Sequence, residues 1–389
     1  MSVNDENELI DRAIGMREEL QQRGTEIDQL RYLPQDLAEK LAAFGFYRLI
    51  VPESLGGLGA SPEIFCRVCE NLAMANGSAA WCVFIGSTSQ YLFGALPRNQ
   101  LELMLENPDV ITSGVFADSG TAYSETQGGV DGYRINGHWR WGSGCHNAAW
   151  ISGGIHEIDG QGELVERSAP LTRVFFLPEE IDILDNWHVS GLRGSGSSDY
   201  VAKDVWVPAD RLAGDIEDTE HANIPIYQFP KYALLGIPIG AICLGMARAS
   251  IEEVVKESKK KTPQGSRRSL ALRPSLHVEV AEADTALRAA KTLLYSNIRE
   301  SWQRAQKAPG SIDDRREMRA STVHAVNTSI DVIDRMYTLM GGTSVFESSC
   351  LQQHFRDVHV ASQHMMVGQP VMEMAGRVML GLDDQALGL

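Results

Sequence analysis

Residues 133–148, YRINGHWRWGSGCHNA, lie at the centre of the segment that decides the fold. The first part of this stretch alternates with a period of two around an Asn-Gly pair, which predicts a β-hairpin. β-prone runs separated by turns continue from residue 111 to about residue 212. We therefore predict a compact antiparallel β unit, a barrel or a sandwich. Three dipeptides are predicted turns: Gly128-Gly129, Asp131-Gly132 and Asn136-Gly137.

The segments on both sides of this unit have apolar residues at the three-and-four spacing of amphipathic helices. Long helices joined by short links predict an antiparallel bundle in the C-terminal part. We predict an α+β fold with an N-terminal α-helical domain (1–110), a central antiparallel β domain (111–225) and a C-terminal antiparallel four-helix bundle (226–389). The main predicted helices span residues 6–22, 34–46, 61–74, 77–96, 236–258, 274–306, 313–340 and 356–382.

The 389 residues carry a formal net charge of −16. Such an acidic chain is repelled by nucleic acid and by anionic lipid, so neither is an expected partner. No apolar run approaches the roughly 20 residues of a membrane helix, and the acidic N-terminus is unlike a secretory or transit signal. The six cysteines lack disulfide or zinc spacing, and Cys66 and Cys69 are expected in a helical core. A cytoplasmic location is predicted.

Four motifs occur in an order that resembles the acyl-CoA dehydrogenase family. They are the segment 133–148, WHVSGLRGSGSSDYVAKDVWVP at 187–208, MGGTSVF at 340–346, and Arg356-Asp357. The resemblance covers essentially the whole chain. It implies the family's fold, a flavin site facing the first motif, and a homotetramer built through the C-terminal bundle. Arg356 and Asp357 are expected to pair with one another or across a subunit interface.

Two chemistries occur in this family. Many of its dehydrogenases use the Glu of a Tyr-Glu-Gly run, after the Arg-Asp pair, as the base that removes an α-proton. The corresponding positions here are His364, Met365 and Met366, and a thioether cannot serve as that base. The pattern R-D-x-H-x-x-x-x-H from Arg356, a later G-R-x-x-L-G, and Ser-Gly-Cys at 143–145 resemble the two-component flavin-dependent aromatic monooxygenases instead.

This second resemblance implies an enzyme that takes reduced FMN or FAD from a separate NAD(P)H-flavin reductase, since no nicotinamide-binding βαβ unit is apparent. Oxygen would form a C4a-hydroperoxyflavin, which transfers a hydroxyl group to a small aromatic substrate of the indole or phenol type. Water destroys that intermediate, so the site should be closed. The sequence leaves three alternatives open. The oxidation could occur at nitrogen or sulfur, the protein could be an acyl-CoA dehydrogenase with its base elsewhere, or it could be a non-catalytic flavin-binding oligomer.

The resemblance also suggests site residues. His364 is expected as a catalytic base or hydrogen-bond donor, since histidine suits neutral pH. Ser143 is expected beside the flavin N5. The simpler interpretations are a histidine packed on a helix and a serine in a turn. The further candidates are Trp141, Cys145, Ser195, Ser197, Gly341 and Gly342 for the cofactor, Arg267, Arg268 or Arg273 for its phosphate, and Phe116, Gln90 and Met365 for the substrate.

Overall fold

The protein is described here by a computed structural model that covers residues 3–159, 162, 164, 165 and 172–382. The described helices and strands follow the predicted order of helices, sheet and longer helices. The predicted helix 6–22 is divided at Met16, directly after Gly15, a residue of low helix propensity. The first helices are α1 (Val3–Gly15), α2 (Arg17–Gln22), α3 (Gly24–Leu30), α4 (Gln35–Ala43), α5 (Pro62–Ala73), α6 (Gly77–Gln90) and α7 (Arg98–Met104).

The central unit is one seven-stranded sheet in the described part of the chain. Its spatial order is β5-β6-β2-β1-β3-β4-β7. The prediction of an antiparallel unit is wrong for one pair, because β1 and β3 run parallel. The cause is that β3 runs opposite to β2 and lies on the far side of β1. The strands are β1 (Thr112–Gln127), β2 (Val130–Gly142), β3 (Trp150–Glu157), β4 (Thr172–Phe176), β5 (Asp182–Ile183), β6 (Ser198–Pro208) and β7 (Leu212–Ala213).

One of the three predicted turns is confirmed. Gly128-Gly129 joins β1 to β2, with both glycines at positive φ. Asp131-Gly132 and Asn136-Gly137 lie inside the continuous strand β2, so those two predictions are wrong. A Cβ atom at Gly137 would lie 2.4 Å from the Trp139 ring, so this glycine allows a close approach of the buried indole, not a chain reversal.

The C-terminal helices form the predicted bundle, but its last member is divided. Helix α12 ends at Ala361, and Pro370 occupies the first turn of α13. Proline fits a first turn and breaks a helix interior, so the predicted helix 356–382 becomes two helices with a corner between them. The helices are α8 (Pro225–Gln228), α9 (Lys231–Glu257), α10 (Pro274–Ala305), α11 (Ile312–Met340), α12 (Cys350–Ala361) and α13 (Gln369–Met379).

Helix α9 is the centre of the core and packs against both α5 and α11. By length and composition it is apolar enough to cross a membrane, so the prediction that no apolar run approaches that length is wrong. However, 83% of its most apolar window is buried inside the protein, as in a core helix. Cys66 and Cys69 on α5 are free thiols buried in the same core, as predicted.

Candidate active site

Three buried serine hydroxyls meet between the end of β2 and the loop that precedes β6. Ser143 Oγ lies 2.7 Å from Ser197 Oγ, and Ser197 Oγ lies 2.7 Å from Ser195 Oγ. The Ser113 hydroxyl donates to the Ser143 carbonyl over 2.8 Å and fixes the backbone at this point. Three of the residues predicted for the cofactor are therefore neighbours. We refer to Ser143, Ser195 and Ser197 as the serine cluster.

The loop 191–198, here called the serine loop, has unusual backbone angles. Leu192 (φ 50°) and Gly196 (φ 53°) are both left-handed and enclose a short 3-10 turn. Glycine adopts this region without strain, whereas leucine is strained there. On the opposite side Gly144, also left-handed, turns the chain out of β2, and its N–H donates to the Ser195 carbonyl over 2.8 Å. The two turns together hold Ser143 against the loop.

Trp81, on the second turn of α6, connects the serine cluster to His364. Its indole Nε1–H donates to Ser143 Oγ over 3.1 Å. The same ring meets the His364 imidazole edge-on, with 5.8 Å between ring centroids. Because Ser143 Oγ accepts from Trp81, the hydroxyl proton of Ser143 is available to Ser197 or to a ligand. The arrangement can therefore present one directed hydroxyl donor.

His364 is half-buried in the corner between α12 and α13 and not on a helix. Its Nδ1 accepts the Met366 N–H over 3.3 Å. Burial, together with the nearby Arg319 guanidinium, lowers the pKa of His364 from its ordinary value of 6.5 to about 4. A neutral imidazole whose Nδ1 accepts carries its proton on Nε2. Of the two predicted roles, this geometry favours hydrogen-bond donor over base.

Three other predicted residues have different environments. Trp141 is 64% exposed and holds φ at 144°, a strained value for a residue with a side chain. Phe116 is half-buried, with the Arg173 guanidinium 5.1 Å from its ring centroid. Cys145 is buried, its Sγ lies 3.6 Å from the Gly196 carbonyl, and burial raises the pKa of its thiol to about 12. Cys145 therefore packs the loop and is a poor nucleophile.

Comparison with known proteins identifies the architecture. The model for the acyl-CoA dehydrogenase N-terminal domain matches residues 6–95, and the model for the C-terminal domain matches residues 237–369. An indole-3-acetate monooxygenase from Pseudomonas putida is 30% identical over 359 residues, which cover 92% of this chain and 89% of that protein. The chain belongs to the acyl-CoA dehydrogenase family.

Two further relatives narrow its position within the acyl-CoA dehydrogenase family. HsaA, the oxygenase subunit of a flavin-dependent monooxygenase from Mycobacterium tuberculosis, is 30% identical to this chain. The alignment covers 89% of this chain and 88% of the relative. The crystal structure of a 3-HSA hydroxylase from Rhodococcus sp. RHA1 superposes with a TM-score of 0.86 at 27% identity, covering 96% and 97% of the two chains. Within this family the chain is a flavin-dependent monooxygenase, which favours oxygen transfer over the dehydrogenase alternative.

Two residues predicted for the substrate lie outside the serine cluster. The Gln90 amide is buried and donates to the Val110 carbonyl over 2.7 Å, about 13 Å along α6 from Trp81. It supports the junction between α6 and the sheet. Met365, at the position where the resemblance predicts the dehydrogenase base to be replaced, is 80% exposed. In the single chain, Met365 does not help to close the site.

The residues predicted for the phosphate lie in another region. Arg267, Arg268 and Arg273 are exposed, and none forms an ion pair within the described ranges. Lys261 Nζ donates to the Met340 carbonyl and to Thr343 Oγ1. This contact ties Lys261, in the same basic segment as the three arginines, to the exposed corner at Gly341 and Gly342.

The Arg356-Asp357 prediction requires a correction, and the prediction missed Trp81. Arg356 forms its ion pair with Asp28, at 3.0 Å, while Asp357 binds the serine loop, so the two residues do not pair with one another. In the sequence, Trp81 is one aromatic residue among many apolar ones on a buried helix. Such a residue is usually core, and only the fold reveals that its N–H meets Ser143.

Proposed function

We propose that this enzyme is the oxygenase component of a two-component system, using reduced FMN or FAD and O2 to hydroxylate a small aromatic substrate of the indole or phenol type. The observation that carries the proposal is the Trp81 bridge between the Ser143 hydroxyl and His364. It provides two neutral hydrogen-bond donors close together in a mostly buried setting. The names of the Pseudomonas and Mycobacterium relatives support an indole-type substrate and an oxygenase subunit.

The residues present fit a flavin. The exposed indole of Trp141 offers a flat apolar face for the ring, and the hydroxyl of Ser143 offers a hydrogen-bond partner to the N5 position. The exposed guanidinium groups of Arg267, Arg268 and Arg273 suit a phosphate, which favours charge-assisted hydrogen bonds. When bound, the reduced flavin supplies the activated oxygen. The serine cluster would orient the flavin ring and keep the reactive edge of that ring away from water.

His364 has the task of orienting the substrate. Its Nε2–H donates to a polar atom of the substrate, while the Met366 N–H fixes the ring from the other side. With a pKa of about 4, His364 is too weak a base to deprotonate a phenol at neutral pH. This argues for an indole, whose ring is electron-rich without deprotonation. Oxidation at nitrogen or sulfur would need the same donor and differs only in the product.

The assembly is part of the proposal. Val345 and Phe346 are exposed by 60% and 63% next to the corner at Gly341. Apolar side chains this exposed favour burial in a subunit contact. A homotetramer built through the C-terminal bundle would cover them and complete the closure of the site beside Met365. The reductase is a separate protein, and the proposed location is the cytoplasm.

The test combines the purified protein with an unrelated NADH-flavin reductase, flavin, oxygen and a panel of indoles and phenols. Indole-3-acetate should yield a hydroxylated product, and omission of either protein should abolish it. The proposal is rejected if the reduced flavin is consumed but only hydrogen peroxide appears with every substrate. Anaerobic bleaching of bound oxidised flavin by an acyl-CoA would instead revive the dehydrogenase alternative.

A further inference from the structure

Asp357 is a fully buried carboxylate on α12 that faces the serine loop. Its Oδ1 accepts the Leu192 N–H over 2.6 Å. Its Oδ2 has no hydrogen-bond partner among the residues that the structure describes. A carboxylate with so few partners is costly to bury, so an apolar side chain would be the more stable choice if packing were the sole requirement. The burial of Asp357 therefore indicates a role for its hydrogen bond with the Leu192 N–H.

That contact is made at the strained point of the loop. Leu192 adopts φ 50°, and its carbonyl accepts the Trp187 indole N–H over 3.2 Å. Just before it, the Ser190 carbonyl accepts from Arg356 Nη1 over 2.6 Å. Gly191 packs so closely on α12 that a Cβ there would lie 2.2 Å from the Arg356 carbonyl oxygen. Helix α12 thus holds the backbone immediately before the turn that carries the serines.

The constraint extends to the serine cluster. The Ser195 N–H donates to the Leu192 carbonyl over 3.0 Å, so the orientation of Leu192 fixes the next turn. Without a partner for its N–H, Leu192 would relax towards the ordinary backbone regions that a residue with a side chain prefers. The following peptides would rotate. The hydroxyls of Ser195 and Ser197 would then lose their alignment with Ser143.

We propose that Asp357 is a positioning residue, whose carboxylate holds Leu192 in the left-handed conformation and so presents Ser195 and Ser197 to Ser143. The inference rests on the proposed function, in which the serine cluster orients the flavin. The effect of Asp357 on the loop conformation can be measured without a cofactor. The role of Asp357 and the role of the serine cluster can therefore be disproved separately.

The first measurement is hydrogen–deuterium exchange of the full-length protein without flavin, followed in peptides that cover the serine loop. Asp357→Leu removes the acceptor at similar volume and should speed exchange in the loop by about tenfold, the upper end of the effect of one net hydrogen bond. Asp357→Asn keeps an acceptor oxygen and should stay near the wild-type rate. Val358→Ala, at the adjacent buried position of α12, is the control for general loosening of the helix.

A second variant approaches the same contact from the loop. Gly191→Ala leaves Asp357 in place but drives the backbone off α12, so it should reproduce the effect of Asp357→Leu. Gly191→Ala also tests the contact if the Asp357→Leu variant does not fold. The proposal is overturned if the loop exchanges at the wild-type rate in Gly191→Ala or Asp357→Leu, or if Val358→Ala loosens the loop to the same degree.

The functional measurement is the yield of product per reduced flavin consumed. Both loosening variants should lower this yield several-fold, and Asp357→Asn should restore most of it. If the loop loosens while the yield and the affinity for reduced flavin are unchanged, Asp357 still positions the loop. In that case the role given to the serine cluster in the proposed function is wrong.

Discussion

Trp81 and Ser143 are linked across the boundary between the N-terminal helices and the sheet, with the indole N–H donating to the serine hydroxyl over 3.1 Å. The bond gives the Ser143 hydroxyl a direction, because one of its acceptor positions is already used. It also holds α6 in register with the end of β2. Two residues that are far apart in the sequence therefore define one donor.

Replacing Trp81 with Phe should keep the packed ring and remove this donor. We expect the yield of hydroxylated product per reduced flavin to fall about two- to tenfold, the effect of one net hydrogen bond. Trp206→Phe is a matched control, because Trp206 Nε1–H donates to the Glu125 carbonyl on the sheet, away from the serine cluster. Equal losses in both variants would contradict a specific role for Trp81.

His364→Ala should lower the rate of substrate hydroxylation by about two- to tenfold, the effect of losing one net hydrogen bond to the substrate. His364→Gln retains an N–H group and should keep more activity than His364→Ala. Consumption of reduced flavin should continue in both variants, with hydrogen peroxide as the product. If His364→Ala has the wild-type turnover and product yield, His364 does not bind the substrate.

The depressed pKa of His364 also predicts a pH effect on stability. Between pH 6.5 and about 4 the unfolded chain binds a proton at this histidine that the folded chain resists. The folded state therefore loses stability as the pH falls through this window. His364→Gln should show a shallower loss of the free energy of unfolding over the same range, measured by urea denaturation. His354 has a similarly lowered pKa and stays as an internal reference.

Asp357 should act in the opposite direction. Burial raises its pKa from 3.8 to about 7. The hydrogen bond from the Leu192 N–H and the nearby Arg356 oppose this rise, and Asp28 adds to it. Between these values the folded chain keeps a proton that the unfolded chain releases, so this residue makes stability fall as the pH rises. Asp357→Asn should gain stability relative to wild type across that window. A difference that is constant with pH would show that Asp357 does not titrate there.

Alanine variants of Arg267, Arg268 and Arg273 can identify the residue that binds the phosphate. The variant at the contact residue should bind reduced flavin about tenfold or more weakly, since hydrogen bonds to charged groups contribute more than neutral ones. Its affinity should also depend less on salt, because an ionic contact is lost. If all three alanine variants bind reduced flavin with wild-type affinity, none of these arginines binds the phosphate.

Much of this site could be predicted from short motifs. Ser143, Ser195 and Ser197 lie in two segments that resemble family motifs, and the structure brings them within hydrogen-bond distance. Trp81 could not be predicted, since a buried tryptophan on an apolar helix has the same pattern whether it packs or donates. The apolar spacing continues across the corner at His364 and therefore predicts one helix there, whereas Pro370 begins a new helix.

The errors in the sheet have a similar cause. Asn-Gly at 136–137 favours a turn locally, but the Trp139 ring needs the space that Gly137 leaves, and packing decides the outcome. The pairing of β1 with β3 depends on the path of the chain around β2, which no local pattern records. The sequence predicts that Arg356 pairs with its neighbour Asp357 or across a subunit interface, because Asp28 is distant in the sequence and no local pattern indicates that ion pair.

The position of α9 bears on how the chain folds. Gly245 of α9 approaches the Glu70 carbonyl of α5 so closely that a Cβ atom would lie 2.2 Å away, and Lys291 and Tyr295 of α10 bind the Glu70 carboxylate. The N-terminal helices therefore complete the interior of the C-terminal bundle. Without the N-terminal helices, the apolar flank of α9 that packs on α5 would face solvent, so the bundle is not a separate folding unit.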